Sequence, residues 1–211
     1  MIKLALGLVM MSILLVSCSD DDNKVTSKNY FKVGDKEYDL SAGIIDNYGT
    51  DDGYGGYDGY NTDLALYSNG FSLQKDEYNE WDLVGKGHFI FFELFSSTGE
   101  KFDDGDYNFS EAEPNPIGTF NYADYSISLD SEKEYSEAEE GEIWIDIVGG
   151  KVNIAKNGDV YTITIDCIND KGEKVSGFYR GKLRYFDWAA GYENAQSAGL
   201  KSGKEKRKLM K

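Results

Sequence analysis

Val160-Tyr161-Thr162-Ile163-Thr164-Ile165-Asp166-Cys167-Ile168 alternates apolar and polar side chains without a break. Tyr161, Ile163, Ile165 and Cys167 fall on one side; Thr162, Thr164 and Asp166 fall on the other. A period of two belongs to a β-strand with one dry face and one wet face. Turn signals bracket it, Asn157-Gly158-Asp159 before and Asn169-Asp170-Lys171-Gly172 after. The spacing predicts four consecutive strands at 142–148, 151–155, 160–168 and 175–186, the first two joined by Gly149-Gly150. Short turns between them make an antiparallel meander.

Working upstream, Gly87-His88-Phe89-Ile90-Phe91-Phe92-Glu93-Leu94-Phe95 is the most apolar run of the main body. His88, Ile90, Phe92 and Leu94 share one face; Phe89, Phe91, Glu93 and Phe95 share the other. Both faces are largely apolar, which predicts a central strand that is covered on both sides or opens onto an aromatic surface. Further strands are expected at 30–33 and 37–40 around Gly34-Asp35, at 62–67, at 71–73 after Ser68-Asn69-Gly70, at 107–109 and from 118 to 129. Residues 43–61 hold few aliphatics after Ile45, and within a loop read over 46–63 the segment 51–60 is biased to Gly, Tyr and Asp. Sixteen tyrosines, eleven phenylalanines and 24 glycines against two prolines suit strands and tight turns. No long stretch repeats every 3.6 residues. The expectation is one all-β domain over residues 29–188, an antiparallel β-sandwich or barrel of about nine or ten strands. A short helix or a basic tail fills 189–211.

The net charge is −16. Such a chain repels nucleic acid, whose binding needs cations against phosphates. One histidine and two cysteines argue against a closed zinc site. His88 begins the apolar strand and reads as structural, and no Gly-x-Ser-x-Gly elbow is present. No pair of carboxylates stands out as a glycosidase couple. Calcium is the better ionic candidate because it gathers oxygen ligands from loops. Asp51, Asp52 and Asp58 in one loop and Asp103, Asp104 and Asp106 in one turn are the candidate ligands, although neither has EF-hand spacing. Tyr54, Tyr57 and Tyr60 recur every three residues and could form a stacking platform for a sugar.

At the N-terminus, Lys3 precedes an apolar run over residues 4–16, about 13 residues, short of the roughly 20 needed to span a bilayer as a helix. Leu15-Val16-Ser17-Cys18 closes it. This stretch resembles the lipobox of bacterial lipoprotein precursors. The resemblance implies a signal peptide over 1–17, cleavage before Cys18 and acyl chains (palmitate among them) on Cys18, with 18–28 as a tether. Each buried methylene contributes about 0.8 kcal/mol, so two or three chains hold the protein to a membrane. With Cys18 lipidated, Cys167 has no disulfide partner. Ser19-Asp20-Asp21-Asp22-Asn23 looks like the acidic export signal of Bacteroidota surface lipoproteins, which implies display on the outer membrane. The body, over about residues 60–186, is similar to small β-rich Bacteroidota lipoproteins of unknown function and transfers a fold expectation only. Taken together, these features suggest a non-enzymatic binder of an extracellular ligand, a glycan first. A subunit of a cell-surface protein complex is the second reading, and a glycoside-active enzyme the third.

Overall fold

The computed structural model describes residues 28–50, 58–76, 81–99, 102–131 and 144–189. These residues form twelve strands. They are β1 (Tyr30–Val33), β2 (Lys36–Asp39), β3 (Ala42–Gly49), β4 (Tyr60–Tyr67), β5 (Phe71–Lys75) and β6 (Trp81–Ser96). After them come β7 (Gly105–Phe109), β8 (Thr119–Asp130), β9 (Ile145–Asn157), β10 (Val160–Asn169), β11 (Lys174–Gly181) and β12 (Arg184–Asp187). Eleven lie on one path, β12-β3-β4-β6-β8-β7-β9-β10-β11-β1-β2, and β5 pairs with the start of β6. The β12–β3 and β7–β8 pairs are parallel and the rest antiparallel, so the sheet is mixed. It curls into a half-barrel around one core.

The curl follows from two short connections. β2 and β3 stand near opposite ends of the path, yet only Leu40 and Ser41 separate them. β11 and β12 are joined equally tightly through Lys182 and Leu183. Both crossings are fixed by hydrogen bonds: Leu40 N donates to Asn29 O, Ser41 N to Tyr67 O, and Tyr179 Oη to Lys182 O. Leu40 and Leu183 pack on the core, so Phe31 of β1 and Ile45 of β3 belong to the same buried cluster.

The alternation in β10 holds throughout. Tyr161, Ile163, Ile165 and Cys167 are buried; Thr164, Asp166 and Ile168 are exposed. Besides the two parallel pairs, which depart from the antiparallel expectation, four features differ from the sequence expectation. Gly149-Gly150 is not a turn. Both residues lie inside the single strand β9, where a bulge opposite Ile168 and Asn169 takes up the extra residue. The expected fourth strand of the meander breaks at Lys182-Leu183, and its last part, β12, leaves to pair with β3. The meander is therefore β9-β10-β11. The third difference is β3, whose second half, from Asp46, occupies sequence read as loop. Its polar residues Asp46 and Asn47 mask the pattern because they lie in a sheet covered on both sides. The count is twelve strands in place of nine or ten.

Candidate functional site

The interior of β4, β6 and β8 is apolar. Leu64 lies opposite Phe92 and Leu66 opposite Ile90, and these face Ala123 and Tyr125 of β8. Phe92 meets Phe120 edge-on at 5.5 Å. The other face of the same strands departs from a solvated surface, since Asn61, Asp63 and Asp124 on it are 0%, 6% and 2% exposed.

A hairpin covers part of that face. β4, the corner Ser68-Asn69-Gly70 and β5 keep one register against β6, with Tyr67 opposite Phe89 and Phe71 opposite Gly85. The distal half folds back. Phe71 and Leu83 join Tyr67, Phe89, Phe91, Ile44 and Trp144 in a second apolar cluster. Two glycines permit the fold. A Cβ on Gly70 would overlap the Lys86 carbonyl, and Gly85 (φ +128°) faces the Gly70 carbonyl in the same way. At the far end Trp81 reaches β12. Its ring lies 6.2 Å from Phe186, and the Arg184 guanidinium sits 3.9 Å above it.

Beyond Trp81 the strand register sets out a row of side chains. Phe186 is opposite Asp46, Asp46 opposite Asp63, Asp63 opposite Glu93, and Glu93 opposite Tyr122. Directly opposed residues have Cβ atoms about 5 Å apart, and like charges so placed destabilise a sheet. Trp188 closes the row on the β12 side. Its Nε1–H donates to Asp46 Oδ1 at 2.9 Å, and its ring lies 6.2 Å from Phe186. Burial raises the Asp46 pKa to about 6 against the pull of that indole bond. Asn61 Nδ2 donates to Glu93 Oε1 at 2.5 Å. A carboxylate only accepts, so the amide nitrogen must face Glu93. The other amide atom, Asn61 Oδ1, is buried with no donor among the described residues. Tyr122 Oη donates to Asp124 Oδ2 at 2.6 Å, and burial followed by Asp124 raises the phenol's pKa.

The rings of Trp81, Phe91, Tyr122, Phe186 and Trp188 border this row, in which Asp63, with the neighbouring Asn61 and Asp124, is buried. Rings stack on the apolar face of a sugar while carboxylates and amides take its hydroxyls. Anions are disfavoured by the row of acids.

Those residues singled out from sequence that the structure describes lie off this row. Asp51, Asp52, Tyr54 and Tyr57 are outside the described residues. Asp58 is exposed. Tyr60 is the first residue of β4 and lies against Gly99, on the opposite side of the sheet from the acidic row. The three acids of the Asp103 turn diverge to separate partners. Asp103 accepts from Ser97 N and Oγ at 2.6 and 2.8 Å, Asp104 from Lys156 N at 2.9 Å, and Asp106 from Lys151 Nζ and Asn153 Nδ2 at 2.8 and 2.7 Å. A hollow of about 370 Å³ beside them is lined by Phe102, Asp103, Asp104, Lys156 and Gly158. No cluster of three metal-ligating side chains occurs among the described residues. His88 packs at a tilt against Tyr38 at 5.0 Å, its Nδ1 accepts from Ser128 N, and burial lowers its pKa. Burial also pushes the Cys167 thiol up to about 12.

The row itself has a sequence signal that loop-centred reading passes over. Asn61-x-Asp63, Phe91-x-Glu93 and Tyr122-x-Asp124 each put an amide or ring and an acid two apart, on one face of a strand. The chain matches no protein-family model, no curated protein and no solved structure. The function is therefore argued from this geometry.

Proposed function

We propose that the protein is a lipid-anchored glycan-binding domain of the outer membrane, and that the row beyond Trp81 is its binding face. The observation that carries this reading is the in-register row Phe186, Asp46, Asp63, Glu93 and Tyr122, with Trp188 bonded to Asp46. Surface acids normally stand apart and wet. Here rings and acceptors share one face, the combination that holds a polyhydroxylated ligand. This reading uses side chains held on strands, which place a site rigidly.

The test is a neutral-glycan array probed with the chain from Lys28 onward. Binding is expected to a subset of glycans. Trp188→Ala should lose it, and Trp188→Phe should keep part because the ring remains. A blank array, or binding indifferent to Trp188 and Phe186, would sink the reading. Attachment is tested separately: Cys18→Ala should no longer incorporate labelled palmitate, and should leave the membrane fraction. External protease should remove the unaltered protein from whole cells if it is displayed outward.

A further inference from the structure

We infer that His88 is a proton-operated joint between β2, β6 and β8: neutral, its side chain holds a bulge in β8, and protonated, it releases β8 and turns to β2. The inference is independent of the glycan reading. It begins with register. Gly87 stands opposite Leu129 and Phe89 opposite Ser126, so Ile127 and Ser128 both stand against His88 alone. This is a β-bulge, an extra residue that leaves the ladder locally short of a bond. Ser128 takes the left-handed conformation there, at φ +58°. The backbone of His88 is engaged on the β4 side. Its N donates to Ser68 Oγ and its O accepts from Ser68 N, both at 3.0 Å. The side chain serves the bulge instead: Ser128 N donates to His88 Nδ1 at 3.2 Å. Only an imidazole with no proton on Nδ1 can accept that bond.

The same ring meets a strand from the end of the sheet. β2 is last on the strand path, and its Tyr38 packs at a tilt against His88 at 5.0 Å and against Phe31 at 5.1 Å. Among the described residues, β2 also brings the Asp39 carboxylate, which favours a charged ring. β8 brings Asp130, which stands opposite Lys86 of β6. Tyr38 and Tyr125 bring phenols, neutral in acid. The corner Ser68-Asn69-Gly70 brings no charge. Burial outweighs Asp39 and holds the imidazole below the ordinary histidine range, so the neutral form persists into mild acid. An imidazolium is a donor at both nitrogens, so protonation breaks the Ser128 bond. The Tyr38 ring and the Asp39 carboxylate then attract the charge.

The experiment is a pH titration of the isotope-labelled full chain by NMR, following the His88 ring and the backbone amides of Ser128 and Thr164. The Ser128 amide proton is expected to shift upfield as its bond is lost. It should follow one curve with the His88 ring, with a midpoint below about 6.5. Thr164, on β10, should stay flat. Asp39→Asn should lower the midpoint, because it removes the carboxylate that favours the charged ring. His88→Gln, which still offers an oxygen to Ser128 N, should flatten the Ser128 curve. A Ser128 amide that does not follow His88 overturns the inference, as does a midpoint at or above about 6.5. Thr164 moving on the same curve overturns it by assigning the change to general loosening. A midpoint unmoved in Asp39→Asn shows that β2 does not receive the charge and overturns it too. A Ser128 transition that survives in His88→Gln assigns it to another group. Should His88→Gln fail to fold, the unaltered protein and Asp39→Asn still decide.

Discussion

The two halves of the sheet treat their outer faces in opposite ways. On β1, β2, β9, β10 and β11 that face is wet, and opposite charges stand opposite one another. Lys151 is across from Asp166, and Lys32 is across from Glu37. Ion pairs join Lys32 to Glu37 at 3.1 Å and Lys151 to Asp106 at 2.8 Å. On β3, β4 and β6 the folded-back hairpin covers part of the face, and beyond it like charges stand opposite: Asp46, Asp63, Glu93. The first arrangement is what stability alone would select. The second works against stability, and rings crowd around it. An arrangement that costs stability and persists is a place to look for a ligand.

The largest expected contrast concerns burial. Phe89 points outward from β6, yet it is 7% exposed and meets Trp144 edge-on at 5.4 Å beneath the hairpin. Thr164 points outward from β10 and is exposed. Phe89→Ala should cost about 3–5 kcal/mol, whereas Thr164→Ala should stay within about 0.5 kcal/mol. Urea unfolding measures both. Similar losses for the two would show that the halves do not differ and that the hairpin contributes little cover.

That contrast also marks how far the sequence could be read. Where one face is wet, the period of two survives, and β10 was legible residue by residue. The two faces of β6 were also legible, because Phe89, Phe91, Glu93 and Phe95 cannot all be solvent-facing. The cover over them was not, since it depends on a fold at Gly70 and Gly85 that brings Trp81 to Phe186. β3 was missed for the same reason: with both faces covered, Asp46 and Asn47 look like loop residues. The acidic row was hidden because register is a property of pairs. Asp46, Asp63 and Glu93 are far apart in the chain, and nothing local says that they stand side by side.

The next contrast is between two carboxylates and concerns pH. Asp46 has a pKa raised from 3.8 to about 6 by burial. A carboxyl raised on folding favours its protonated form in the folded state, so its penalty appears as pH rises through the interval from about 4 to about 6. Above it the penalty is full. Asp46→Asn removes it and should stabilise the unliganded protein by on the order of 2 kcal/mol at neutral pH. The gain should vanish below about pH 4. Chemical denaturation at the two pH values tests this. Loss of stability at neutral pH would show that Asp46 is compensated within the fold and would weaken its assignment to a ligand.

Asp106 gives the smallest effect and the opposite sign. The Lys151 ammonium, then Asn153, hold its carboxyl below the ordinary value. A lowered pKa contributes stability that is present above the unfolded value and is lost as pH falls through the folded one. Both partners lie open to water, where screening leaves little of an ion pair. Lys151→Gln should therefore lower the denaturation midpoint slightly at neutral pH and low salt, and not at all in acid or high salt. Asp46→Asn should respond little to salt, because its effect comes from desolvation. A large, salt-insensitive loss in Lys151→Gln would mean that the pair is structural and that the wet face is organised more like the covered one. A small, salt-erased loss keeps the contrast between the paired charges of the wet face and the like charges that stand opposite one another at Asp46, Asp63 and Glu93.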